Sequence, residues 1–267
     1  MEKLIKVDLY RYKKDKTSLI GLIIVIGLLF FSALMYLSMS KLIDATEIEG
    51  MEQMLYSPRS IYFQSFMMGN NSGLVAIIII AVITSRDFVQ DTVRLKIING
   101  FDKTQIYFST LITNIIYGVG IVLGYALAML LISSLIFGYG QKLDSEEILS
   151  LLGSTTMGIL YIILYISVVT GISMKAQKIG SAVGLSIAFI LVETLLASFF
   201  ILFPIFAGTL SETIIKAVHI FPSVGLQTLG SSSFSGDVAT IMLVSTVIFI
   251  VLANILSILA FQKSDVK

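Results

Sequence analysis

The chain has 267 residues, 56% of them hydrophobic and only 13% charged, with a formal net charge of +1. Soluble domains carry about 25% charged residues, so a chain with a mean hydropathy of +0.95 belongs in a lipid bilayer, and a net charge of +1 argues against a nucleic-acid partner, which would need a basic patch. The lack of cysteine excludes a disulfide framework, a thiolate nucleophile and a cysteine metal site, and the single His219 cannot build a histidine metal site alone. Tryptophan is absent too, which leaves 11 tyrosines for interfacial anchoring.

Residues 1–16 hold Lys3, Lys6, Arg11, Lys13, Lys14 and Lys16, with Ile5, Leu9 and Tyr12 at helical spacing. This pattern predicts a basic amphipathic helix on the inner membrane surface. The uncharged run that follows, 17–40, is too long for a signal-peptide core and no small-x-small cleavage site ends it. It predicts a retained first span. A membrane helix needs about 20 apolar residues, and five more runs meet this: 60–85, 104–141, 148–174, 179–211 (interrupted by Glu193) and 238–262. The second is weakened by Gly69, Asn70, Asn71, Ser72 and Gly73, so it either begins early and bends there or makes a short crossing. The third is long enough to run past the bilayer as one helix. Gly120 and Gly124, and again Gly180 and Gly184, are four apart, a spacing that lets helices approach closely.

Lysines and arginines set the expected orientation. With the N-terminus inside, 14 of the 18 fall in inner segments, leaving Lys41, Arg59, Lys142 and Lys216 outside. Both termini are then cytoplasmic. The outer segment 41–59 is acidic, and Asp144, Glu146 and Glu147 read as a helix start facing water rather than a cation site. The outer segment 207–237 is apolar, with Ile214, Ile215, Val218, Ile220 and Phe221, and Pro222 followed by Gly225 suggests two short pieces joined by a turn. It either re-enters the outer leaflet or lies flat on it.

The longest charged interval between spans is 86–105. Val89, Val93, Ile97 and Phe101 recur every four positions, with Phe88, Leu95 and Ile98 beside them, which predicts a surface helix over 86–101; a solvated loop is the alternative. Asn99-Gly100 supplies its stop, and Asp102 with Gln105 forms a capping-box pattern for the next helix.

Glu193 is the one ionisable residue deep in a predicted span, which makes it a functional-site candidate. Asn114 and Asn254 are its candidate partners across the third and sixth spans, and together the three mark a candidate substrate path. No phosphate-binding G-x-x-x-x-G-K-[ST], no H-E-x-x-H and no Ser/His/Asp set at membrane depth is present. The expectation is a non-enzymatic chain with no metal and no cofactor of its own.

The fold class is an all-α polytopic membrane protein, one transmembrane domain over 1–267. Six spans, cytoplasmic termini, a basic N-terminal helix, a charged helix after the second span and an apolar outer segment before the sixth resemble the permease subunit of type 2 ABC exporters. The stretch SRDFVQDTVRLKIINGFDKTQIYFSTLI is similar to that family's local pattern, through Arg86, Asp87, Phe88, Asp91, Thr92, Arg94, Lys96, Ile98, Gly100, Lys103, Ile106 and Leu111. The resemblance implies that the helix after the second span is the coupling helix. It would dock on a separate ABC ATPase subunit, present in two copies, that holds the ATP and Mg. On this resemblance the partner-binding residues are Arg86, Asp87, Phe88, Asp91, Thr92, Arg94, Leu95, Lys96, Ile98 and Asn99. It also implies a second permease copy or a paralogue, a bacterial-type cell membrane, and an apolar or amphipathic cargo such as a peptide, a lipid-like molecule or a drug. Small permeases of this kind often serve in antimicrobial peptide export or immunity. The alternatives are a secondary carrier, for which no half-to-half match is visible, and an intramembrane enzyme using Glu193.

Overall fold

The computed structural model describes residues 1–46, 57–69, 71–139, 144–206, 212–229 and 236–265, and every regular element among them is helical. In chain order these are α1 (Glu2–Lys14), α2 (Lys16–Thr46), α3 (Pro58–Gln64), α4 (Asn71–Val89), α5 (Thr92–Ile98), α6 (Lys103–Phe137), α7 (Ser145–Ala176), α8 (Ile179–Phe206), α9 (Glu212–Ala217), a 3-10 turn (Val218–Ile220), α10 (Pro222–Leu229) and α11 (Gly236–Gln262). Six of them, α2, α4, α6, α7, α8 and α11, are long and apolar enough to cross a membrane, which makes the chain a multi-pass membrane protein.

α4 and α7 are largely enclosed, whereas α2, α8 and α11 expose most of their apolar length. Between lipid-immersed helices there is no hydrophobic force, so close packing and interhelical hydrogen bonds must hold the bundle. Tight contacts occur at glycines other than the predicted pairs. A Cβ on Gly118 would come within 2.5 Å of Ile166, and one on Gly73 within 2.6 Å of the Met67 carbonyl oxygen. Around Gly120, Gly124, Gly180 and Gly184 there is open space, so neither predicted pair serves packing within this chain. α6, at 35 residues, is ~52 Å long by helix geometry, past a hydrocarbon core of about 30 Å. It ends at Gly138, whose φ of +71° suits glycine.

The predicted second span is two helices. α3 opens at Pro58, with the Ser57 hydroxyl accepting the Ser60 N–H at 3.2 Å. A turn buries Phe66 and Met68 completely, and α4 then starts at Asn71, whose φ is +44°, a conformation asparagine tolerates. The crossing is therefore the short one. α2 and α7 extend beyond 17–40 and 148–174, and α8 is described to Phe206, so 207–211 of the fifth run lie outside the described residues.

The predicted helix over 86–101 is also broken. Arg86–Val89 belongs to α4, the chain reverses at Asp91 with φ +57°, and α5 spans only Thr92–Ile98. Asp91 takes the left-handed conformation because its short polar side chain tolerates it. Gly100, at φ +85°, supplies the expected stop, and α6 starts where expected, but Asp102 makes no side-chain cap bond. Lys103 Nζ then donates to the carbonyls of Gln262 (3.0 Å) and Ser264 (2.7 Å), and the Gln177 side chain donates to the carbonyl of Asp265 (3.3 Å). One end of the bundle thus gathers α1, α5, the start of α6 and the ends of α7 and α11; α3, α9 and α10 lie toward the other.

Candidate functional site

The first site is built on α1. Leu4, Asp8 and Tyr12 are four apart, so they share one face. That face is buried against the bundle, chiefly against α6, instead of lying on a lipid surface as predicted for 1–16. Asp8 is 1% exposed. Lys96 of α5 donates to both of its oxygens, at 2.8 and 3.0 Å, and the Ser109 hydroxyl of α6 donates at 2.8 Å. One turn on, Arg11 meets Asp87 of α4 at 2.5 Å, and Arg86 pairs with Asp15 while donating to the Thr17 hydroxyl at 3.0 Å. Uncompensated charges buried this way would each cost several kcal/mol; here every carboxylate has a cation. The Tyr12 hydroxyl donates to Asn114, whose amide donates to Thr84 (3.1 Å) and Thr170 (2.8 Å). Burial, with Asp87 nearby, pushes the Tyr12 hydroxyl up, so it remains a donor. A polar chain therefore runs from α5 through α1 into α4, α6 and α7.

This network divides the predicted partner-binding residues into two groups. Arg86, Asp87 and Lys96 are engaged inside the bundle, and Phe88 packs edge-on against Phe261, with ring centres 5.9 Å apart. Thr92 is half-buried, and Val93 beneath α5 is buried. Asp91, Arg94, Leu95, Ile98 and Asn99 face outward, together with Val89. Leu95 and Ile98 are 57% and 70% exposed. The Asn99 side chain bonds back to the Leu95 carbonyl at 2.9 Å, closing the helix. The result is a short knob whose back is bolted to the bundle by a buried lysine and whose front is apolar with one acid and one base.

The second site is Glu193, near the middle of α8. Its Oε2 accepts the Tyr165 hydroxyl at 2.9 Å, and its Oε1 accepts both the N–H (3.1 Å) and the hydroxyl (2.9 Å) of Ser223 at the start of α10. Three donors satisfy a carboxylate at this depth, so Glu193 straps α10 to α7 and α8. Its predicted partners are elsewhere. Asn114 belongs to the α1 network, and Asn254 accepts from Tyr107 at 2.8 Å while donating to the Ile250 carbonyl at 2.7 Å. The three residues belong to three separate hydrogen-bond clusters. Below Glu193 opens a groove of about 780 Å³, walled by α7, α8 and α11 and lined almost entirely by apolar residues, with Lys175 among them.

At the opposite end Arg59 of α3 is buried and pairs with Glu147 at 2.8 Å while donating to Ser150 at 2.9 Å. Asp144 caps α7 by accepting the Glu147 N–H at 2.9 Å, as a helix start should, but Glu147 faces Arg59 and Tyr139, not water. Burial and the adjacent Glu147 push the Tyr139 hydroxyl up to about 12. The predicted pieces of 207–237 are present in part: α9 and the 3-10 turn lead to α10, which starts at Pro222 as expected, whereas Gly225 lies inside α10 and not at the joining turn. No group of three or more His, Asp or Glu that could hold a metal occurs among the described residues. Sequence reasoning missed Asp8, Asp15 and Ser223. An acid four residues from both Leu4 and Tyr12 in a basic helix was the available signal for Asp8; nothing local marked Ser223.

No curated protein matches the sequence. A family profile matches residues 20–267, nearly the whole chain and all six candidate spans except the first few residues of α2; its description is "Protein of unknown function (DUF2705)". The chain belongs to the DUF2705 family.

Proposed function

We propose that this chain is the membrane-spanning permease subunit of an ATP-driven exporter, with the ATPase on a separate subunit that docks on the outward face of α5. The observation that carries this is the knob itself: Val89, Asp91, Arg94, Leu95 and Ile98 are exposed between two candidate spans while Val93 and Lys96 hold its back. An exposed apolar patch rimmed by charge is a protein-docking feature. The lysine and arginine excess at this end favours a cytoplasmic position for it and for both termini. The coupling element is then narrower than 86–101, comprising Asp91 to Asn99 with Val89.

Force on the knob has a physical route inward. Lys96 grips Asp8, and the same α1 helix holds Asp87 and Asn114, which sit on α4 and α6. Two ATPase subunits that close on ATP and Mg would favour one of two permease states by binding it more tightly. A second permease copy or paralogue completes the path. The strap at Glu193 holds the start of α10 near the middle of α8, which supports a re-entrant outer segment, and the apolar lining of the bundle fits an apolar or amphipathic cargo.

Purification in mild detergent tests the proposal. An ATP-binding subunit is expected to co-purify and to be lost on Asp91→Arg or Arg94→Glu. Recovery of the chain without any ATP-binding polypeptide, under conditions that preserve its fold, contradicts it.

A further inference from the structure

We infer that the groove between α7, α8 and α11 is a binding site for a single anionic phospholipid of the bilayer. Its acyl chain would lie in the groove and its head group on Lys175. This needs only a bilayer and stands whether or not the chain is a permease.

The groove is a concavity of about 780 Å³ between three candidate spans, two of which (α8 and α11) expose most of their apolar length, and Lys175 and Glu193 are the charged residues lining it. They differ in state. Glu193 has its oxygens taken by Tyr165 and Ser223, so it offers no free charge to a ligand. Lys175 is exposed and has no hydrogen bond or ion pair among the described residues. It lies in the last turn of α7, next to the end of a candidate span, which is head-group level. Lys178 follows within three residues; Asp265 is the acid on this edge, located by the Gln177 bond to its carbonyl. From Lys175 to Leu164 the groove follows about three turns of α7, ~16 Å, half of a hydrocarbon core of about 30 Å. That is the depth of one leaflet, closed above by Phe221 and Pro222. A cation at the mouth of an apolar slot one leaflet deep selects an anionic head group joined to an acyl chain.

The chain lacks tryptophan, so one introduced tryptophan reports on its own surroundings. Phe249→Trp places it in the groove, and Phe30→Trp places it on the exposed face of α2. Each variant is reconstituted in phosphatidylcholine vesicles containing a minor fraction of phosphatidylglycerol with brominated chains, which quench on contact. The groove tryptophan is expected to report about fivefold enrichment of the anionic lipid over the bulk, the effect of one lysine at head-group level. Phe30→Trp should follow the bulk fraction. Adding Lys175→Gln should return the groove reporter to bulk, and Lys175→Arg should keep the enrichment and guard against misfolding. A groove tryptophan that follows the bulk with Lys175 intact overturns the inference. So does one that no brominated lipid quenches, brominated phosphatidylcholine included, since a second copy of the chain would then fill the groove.

Discussion

The two ends of the bundle are held by different chemistry. At the α1 end, charged pairs far apart in sequence — Asp8 with Lys96, Arg11 with Asp87, Asp15 with Arg86 — fix one amphipathic helix and the back of α5. At the other end one buried pair, Arg59 with Glu147, and the neutral donors around Glu193 hold short pieces against long helices. Lys216 there bridges Glu212 and Asp237 at the surface, where such pairs contribute little. The difference teaches where rigidity is concentrated: the end that carries the knob is built as one block, and the other is assembled from parts.

The comparison breaks most sharply at Asp8. Asp8→Ala leaves Lys96 buried without a partner and should cost about 3–5 kcal/mol, read as a large fall in the thermal midpoint of the detergent-purified protein. Asp8→Ala with Lys96→Met should recover part of that loss. At the other end, Glu193→Ala leaves the Ser223 N–H and the Tyr165 hydroxyl unpaired and should cost about 2 kcal/mol, with Glu193→Gln costing about 1 kcal/mol. Glu193→Ala should also raise amide exchange in α10 while leaving α1 unchanged. Packing gives the next contrast. Gly73→Ala meets backbone at Met67 and Met68 and should cost about 1–3 kcal/mol, whereas Gly124→Ala, with open space around it, should stay within about 0.5 kcal/mol. The smallest effect on stability is at the knob. Charge reversal at Arg94, which is exposed, should also stay within about 0.5 kcal/mol and yet abolish partner-stimulated transport in vesicles.

Much of the architecture was legible because long apolar runs bounded by charge have few alternatives in a membrane. Among the described residues five of the six runs returned as one long helix each, and the second returned as a short helix followed by a long one. That exception is instructive: the Gly69–Gly73 cluster announced a break, but its form depends on Met67 and Met68 seating against Gly73, a contact no local pattern encodes. The knob was found and its division was not. A four-residue repeat of apolar positions suggested one helix over 86–101, whereas the left-handed turn at Asp91 hands Phe88 to the second span and Val93 to α5. Glu193 was conspicuous as a lone carboxylate, but its partner Ser223 lies 30 residues away, beyond any spacing rule. The small-residue pairs failed differently, since that spacing records an opportunity for close approach and the chain uses Gly118 instead.

The most direct test of the central claim is site-specific photocross-linking in the native membrane from Leu95, on the front of α5, with Leu135 at the far end of α6 as control. Both are exposed. The account predicts that Leu95 captures an ATP-binding polypeptide, with a yield that changes when ATP is trapped, and that Leu135 does not. Capture of the same polypeptide from both positions, or of none from Leu95, would contradict it.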